Sequence, residues 1–326
     1  GRGILWRWKY IRDRREMVRL SHFRNGFHTC LTLCPRNCWE RYAMVGVING
    51  LVCMAKTSHT QIIHDVICLW NPIVKRKLSI PRLQDVEPLQ VAFRINHSLG
   101  FAYDDPRNDY KIFSVVTSSR PGWNPVLKHV LLDVFSWSTG DWTRLPSPRD
   151  FRLGITNSTP AVFLRGSCHW AVFGKRRGDV RKKAYIFCVS ASDYSYWLFP
   201  LPDDIPMKVI NQTYTAVIRG CLALIPCPSP LVPIGDSGMN VWVMKEYGDV
   251  SSWTIRYRIA GEVDTVEGLV EKDAVLVISG TLLDRTHSKD QILDVTLCED
   301  SFFCHRFFDS FELLPQGEPC PCFCDA

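Results

Sequence analysis

Fourteen cysteines in 326 residues raise the first chemical question, because thiolates spaced a few residues apart can hold zinc. One group is Cys30, Cys34 and Cys38, with His28 nearby. The other is Cys298, Cys304, His305, Cys320, Cys322 and Cys324. A structural zinc site needs a tetrahedral set, usually supplied as two matched, closely spaced pairs. Neither group has that spacing, so both are read as unpaired thiols and no metal ligand is assigned. Cys53, Cys68, Cys188 and Cys221 lie inside apolar runs, where cysteine behaves as a small hydrophobe.

Acid–base chemistry has scattered candidates. Asp104 and Asp105 adjoin in YDDPRNDYK, but neighbours in an extended turn point apart, and Asp-Pro simply opens a turn. Asp133, Asp193 and His169 stand apart in the chain. His169 sits between Cys168 and Trp170 in an alternating segment, the pattern of a packed strand residue with no partner specified. The chain has no P-loop, dinucleotide glycine fingerprint, His-Glu-x-x-His or Gly-x-Ser-x-Gly. No catalytic, cofactor-binding or metal residue is therefore assigned, and binding residues stay unknown. No cofactor and no intrinsic catalysis are expected.

The elements that would position any site are strands. Residues 240–254, NVWVMKEYGDVSSWT, alternate apolar side chains, turn at Glu-Tyr-Gly-Asp and start again at Trp253. The same shape occurs at 69–81, 132–146 and 185–202. Trp142, Trp197 and Trp253 each begin the last strand of a unit, 55 and 56 residues apart. The turn glycines Gly50, Gly166, Gly220 and Gly280 each fall between a unit's first two strands, the last three 54 and 60 apart. A repeat of about 50 residues with about four strands is a propeller blade. The three tryptophans are expected to pack between blades. The expected fold is all-β: an irregular, propeller-like array of four-stranded blades with a short basic N-terminal arm. Residues 6–20, WRWKYIRDRREMVRL, are the one segment with helical spacing.

Charge separates the arm from the rest. Residues 1–41 carry ten basic and three acidic residues, or +7, while the remainder is −1. The expected organisation is an arm at 1–41, part-helical or the remnant of an upstream region, a propeller-like domain at 42–315 and a Cys-rich tail at 316–326. A basic arm could contact nucleic acid or acidic lipid, but the near-neutral domain argues against nucleic acid as a partner, and a solvated leader is the plainer reading. Arg and Lys interrupt every apolar run before Cys30, so no secretory leader is read, and free thiols point to a reducing compartment, cytoplasmic or nuclear. The longest apolar stretch, 221–234, holds four prolines and cannot be a membrane helix; no membrane partner is expected. The first residue is Gly, which fits a fragment or a processed product.

The ordered set VGVINGLVCM, LWNPIVKRKLSIP, GFAYDDPRNDYKIF, LDVFSWSTGDWTRLP, VFLRGSCHWAV, VIRGCLALI and VWVMKEYGDVSSWT resembles the plant F-box-associated, kelch-like domain over about residues 43–260. The resemblance implies a protein-binding, substrate-recognition domain of an SCF-type ubiquitin ligase complex, a substrate adaptor that selects a target for ubiquitination. It implies no catalytic residue, because ubiquitin transfer is done by other proteins. A Skp-type adaptor and cullin are partners only if an F-box lies upstream, since residues 1–40 are not similar to one. The alternatives are a propeller enzyme or carbohydrate-binding protein, or a stand-alone interaction domain that has lost ligase recruitment. Loops 118–129, 147–160 and 226–239 are the expected target-binding segments by length and Pro/Gly/Ser content.

Overall fold

The computed structural model describes the backbone of residues 2–10, 15–24, 27–32, 42–58, 61–71, 74, 76–81, 94–119, 128–148, 151–155, 160–176, 183–202, 205, 213–226, 239–259, 265–270, 274–278, 304–308 and 318–319. Side chains are described for most of these residues between 44 and 256. Apart from two short 3-10 turns, every regular element among the described residues is a β-strand.

The helix expected over 6–20 does not form. β1 (Arg2–Tyr10), β2 (Arg15–Arg24) and β3 (Phe27–Thr32) run antiparallel there, with Trp8 opposite Met17 and His22 opposite Thr29. Trp6, Trp8 and Tyr10 alternate with Arg7 and Lys9. That period of two, in aromatic residues that favour strands, outweighs the looser helical spacing.

Four consecutive sheets follow. Blade 1 is β4 (Tyr42–Ile48), β5 (Leu51–Ser58), β6 (Gln61–Asn71) and β7 (Arg76–Ile80). Blade 2 is β8 (Arg94–Asp104), β9 (Asp109–Ser119), β10 (Lys128–Ser136) and β11 (Asp141–Leu145). In blade 3 the inner position is shared by β12 (Phe151–Ile155) and β13 (Val162–Leu164). Both pair with β14 (Ser167–Arg176), and β15 (Lys183–Ser190) and β16 (Tyr196–Pro200) complete the blade. Blade 4 is β17 (Thr213–Ile218), β18 (Cys221–Pro226), β19 (Met239–Met244) and β20 (Trp253–Ile259). The fold is a β-propeller of antiparallel, sequentially ordered blades.

Beyond blade 4, β21 (Thr265–Val270) and β22 (Ala274–Ile278) pair with each other. The turn expected at Gly280 lies outside the described residues. β23 (Cys304–Phe308) lies on the free edge of β1, and β24 (Glu318–Pro319) on that of β7.

Each of three blades closes its first hairpin with a two-residue turn. Asn49-Gly50, Arg165-Gly166 and Arg219-Gly220 have φ of 49° and 76°, 49° and 76°, and 51° and 76°. Positive φ at both positions matches the right-handed twist of the flanking strands.

Apolar side chains on both faces of the blades meet in the seams between them. Leu51, Cys53, Ile67 and Leu69 of blade 1 pack on Leu99, Phe101, Ile112 and Phe135 of blade 2. Phe113, Leu132 and Val134 meet Trp170, Phe187 and Val189 in the next seam. Ile186 and Cys188 meet Leu222, Leu224, Met244 and Trp253 in the third. The three tryptophans pack in seams as expected, but not alike. Trp142 reaches back toward blade 1 and donates Nε1–H to the Pro81 carbonyl at 2.9 Å. Trp197 reaches forward toward blade 4, and Trp253 is buried against blade 3.

Candidate functional site

The strand order gives the propeller two unlike ends. At one, the turn end, each blade places its first-to-second and third-to-fourth strand turns. At the other, the loop end, lie the second-to-third strand loops and the connections between blades. Of the three segments expected to bind a target, 118–129 and 226–239 begin and finish at the loop end, judged by the strands that flank them, whereas 147–160 begins there but contains β12 and ends beside β13 in mid-blade. Much of each loop lies outside the described residues.

The turn end carries a buried polar network that sequence reasoning missed. Lys111 Nζ lies 2.6 Å from Asp109 Oδ2, with side chains only 4% and 1% exposed. Ser136 Oγ donates to the same carboxylate at 2.5 Å, and Ser138 donates through N at 2.8 Å and Oγ at 3.0 Å. Burial pushes the Asp109 carboxyl up, but hydrogen bonds from Lys111, Ser136 and Ser138 outweigh it and hold the group below its ordinary value. Lys111 also lies 5.5 Å from the Tyr194 ring centroid of blade 3, so the network touches the next blade. The signal was a lysine between Tyr110 and Ile112 in a strand buried on both faces, which must have a partner.

Two further turn-end contacts cross seams. Arg107, 61% exposed, donates Nη1–H to Asp104 Oδ2 at 3.0 Å and to the Ser192 carbonyl at 2.5 Å. Asp104 is buried while Asp105 is exposed, so the adjoining carboxylates do point apart. The Arg165 guanidinium stacks 5.1 Å from the Tyr247 ring centroid, and Tyr247 packs edge-on to Phe199 at 5.7 Å.

His169 is fully buried. Its Nδ1 faces the Val162 carbonyl at 3.4 Å, which only accepts, so Nδ1 carries the proton. Nε2 then accepts from the Tyr247 hydroxyl at 2.7 Å. Burial pushes the imidazole down to about 4, so it is neutral at ordinary pH. Asp133 is buried and ion-paired with Arg144, which is 45% exposed. Burial raises its carboxyl above the ordinary range and Arg144 only partly offsets that. Asp193 is exposed, and hydrogen bonds from Ser190 and Ser195 lower it to about 2. The structure does not bring these three residues together. A serine–histidine pair does exist, with His97 Nε2 2.9 Å from Ser114 Oγ. Ser114 is buried in the seam toward blade 1, opposite Leu99 and Asp133, where a substrate has no approach.

Among the described residues, no group of three or more His, Cys, Asp or Glu could hold a metal. Cys34, Cys38, Cys298, Cys320, Cys322 and Cys324 lie outside them, while Cys30 and His28 stand on β3 and Cys304 and His305 on β23. Cys53, Cys68, Cys168, Cys188 and Cys221 are free thiols, all but Cys221 buried. Burial pushes Cys53, Cys168 and Cys188 well above the ordinary thiol value, so they are inert. No helix among the described residues is long and apolar enough to cross a membrane.

Blades, seams and turns of this kind define a β-propeller. Residues 39–277 match the F-box associated beta propeller domain, and the chain belongs to that family. It is 25% identical over 247 residues to an F-box/kelch-repeat protein of Arabidopsis thaliana, covering 73% of this chain and 58% of that protein. Two F-box proteins of the same plant match at 24% over 206 residues (59% of this chain, 48% of theirs) and 23% over 271 (73% and 59%). The chain thus spans about half the length of the curated relatives it matches. The beta-propeller domain of the Trilobed protease from Pyrococcus furiosus aligns over 84% of each chain at 8% identity and a TM-score of 0.32, too low a likeness to add to the family match.

Proposed function

We propose that this chain is the target-selecting part of an SCF-type ubiquitin ligase, a protein-binding domain at about 42–315 with no chemistry of its own. The observation that carries the reading is the family match along 39–277, together with relatives that are F-box proteins. The described titratable groups support it, because His169, Asp109 and Lys111 are each engaged within turns and seams. Target contact falls to the loop end, where 118–129, 226–239 and the start of 147–160 emerge. The protein acts in the cytoplasm or nucleus, and needs no cofactor.

Recruitment of a Skp-type adaptor and cullin requires an F-box, and residues 1–40 as they stand do not resemble one. The test therefore has two arms. Purified adaptor should bind residues 1–326 weakly or not at all; micromolar binding lost on deleting 1–40 would identify the arm as a divergent F-box. Fusing a known F-box ahead of residue 42 should then direct ubiquitin onto a captured protein in a reconstituted ligase. A folded fusion that engages adaptor but modifies no captured protein would sink the reading.

A further inference from the structure

At the loop end of blades 2 and 3, six cations besides Arg144 stand on described strand ends or one described residue in from them: Arg94, Lys128, Arg152, Lys175, Arg176 and Lys183. Among the described residues no acidic one does; Asp150, which precedes β12, lies outside them. Arg94 and Lys128 both pair in register with Ser119, which sets them two strands, about 10 Å, apart. Arg152 is directly opposite Lys175, and Lys183 is opposite Gly174, the residue before Lys175. Lys183 is exposed and Lys175 half-buried. Arg144, one residue in from the end of β11, is already paired with Asp133.

The concentration is not a by-product of a basic domain. Residues 42–326 sum to −1, so apart from these six cations the domain stands at −7. A concentration of positive charge on one rim attracts and orients a partner of the opposite sign.

We propose that this rim docks an acidic, Asp/Glu-rich segment of the target protein. The proposal rests on the reading of the chain as a target-binding domain. A short extended acidic segment, whose like-facing side chains recur about every 7 Å, fits within two blades. The rest of the domain is net negative, which disfavours the longer polyanion of a nucleic-acid duplex.

The test uses the full chain and a fluorescent peptide of about twenty residues rich in Glu and Asp. Controls are a neutral peptide of equal length and a single-stranded DNA of similar charge. The acidic peptide should bind, the neutral one should not, and binding should weaken steeply with added salt. K175E/K183E should weaken it about tenfold or more, while Lys245→Glu, the same kind of change at the turn end, should leave it alone. Melting curves check that each variant is folded. Absence of binding, equal binding by K175E/K183E, or tighter binding of the DNA overturns the proposal. A target captured equally well by wild type and K175E/K183E defeats this inference while leaving the target-binding reading intact, whereas a chain that captures no target defeats that reading.

Discussion

His169 and Tyr247 are 78 residues apart in sequence, yet the tyrosine hydroxyl donates to the imidazole Nε2 at 2.7 Å across the seam between blades 3 and 4. The backbone ties the same two blades, because Thr215 Oγ1 donates to the His169 carbonyl at 2.8 Å. A buried imidazole that is satisfied on both nitrogens is a neutral strut between blades, and its neutrality is a condition of that seam.

Stability should therefore depend on pH through His169. Its value in the fold, about 4, lies below the unfolded 6.5. Between these values the unfolded chain takes up a proton that the fold refuses. The contribution is fully present above about 6.5 and is lost as pH falls toward 4, amounting to a few kcal/mol. Urea midpoints measured across that window should fall more steeply for the wild type than for His169→Gln. Equal slopes would show that the imidazole titrates normally. The lowered carboxyls of Asp109 and Asp193 add acid lability only below the ordinary 3.8.

The buried ion pair at the turn end should respond unequally to loss of its members. Asp109→Ala leaves the Lys111 ammonium buried beside only Ser136 and the Tyr194 ring, and should cost about 3–5 kcal/mol. Lys111→Met leaves Asp109 its bonds from Ser136 and Ser138, and should cost about 1–2 kcal/mol. Denaturant unfolding of the two variants checks the order. A larger loss for Lys111→Met would mean that the serines do not satisfy the carboxylate.

At Gly100 of β8 blade 3 packs close against blade 2. A Cβ there would lie 2.8 Å from Cys168 Sγ, 2.8 Å from Trp170 Cζ2 and 3.1 Å from Ala161 Cβ. The Ala161 amide donates to the Leu99 carbonyl at 2.8 Å, so the strands cannot easily part. Gly100→Ala should cost about 1–3 kcal/mol. Adding Cys168→Ala should recover part of that loss, since it removes one of the two closest contacts. A double variant no more stable than the additive sum would place the strain on Trp170 alone.

Equal spacing of the tryptophans does not mean equal roles. Trp253 is buried between blades 3 and 4, and Trp253→Ala should cost about 3–5 kcal/mol. Trp142 is half-buried and holds its indole N–H on the Pro81 carbonyl, so Trp142→Ala should cost about 1–2 kcal/mol. Unfolding free energies in the reverse order would mean that the seam between blades 1 and 2 is the tighter one.

Blade architecture was legible because strand alternation and turn residues are local. Asn49-Gly50 and the pairs Arg165-Gly166 and Arg219-Gly220 declare tight hairpins in the chain itself. What the sequence could not declare is which face of a blade looks which way. Trp142 and Trp197, 55 residues apart, project toward blades on opposite sides, because Trp142 pairs with Phe135, which faces blade 1, and Trp197 with Cys188, which faces blade 4. The arm was misread for a related reason. Its charges recur at a spacing that suits either period, and pairing with a distant partner such as β23 is invisible to a local pattern. Among the site residues, the buried state of His169 was readable from its alternating neighbours, whereas its bond to Tyr247 and the Asp109–Lys111 pair depend on which turns converge.

The three tight turns with nearly the same backbone angles bear on the order of assembly. Each sets the register of its hairpin within a few residues, so these hairpins can close in about microseconds without help from the rest of the chain. The seams cannot, since they join groups such as Ala161 and Leu99, or Trp142 and Pro81, that lie 61 or more positions apart. Loop-closure entropy puts such long-range docking late and makes it slow. The two kinds of contact therefore report on different limbs of a chevron. Changes at Gly50 or Gly220 should act mainly by slowing folding, and changes at Gly100 or Trp253 mainly by speeding unfolding.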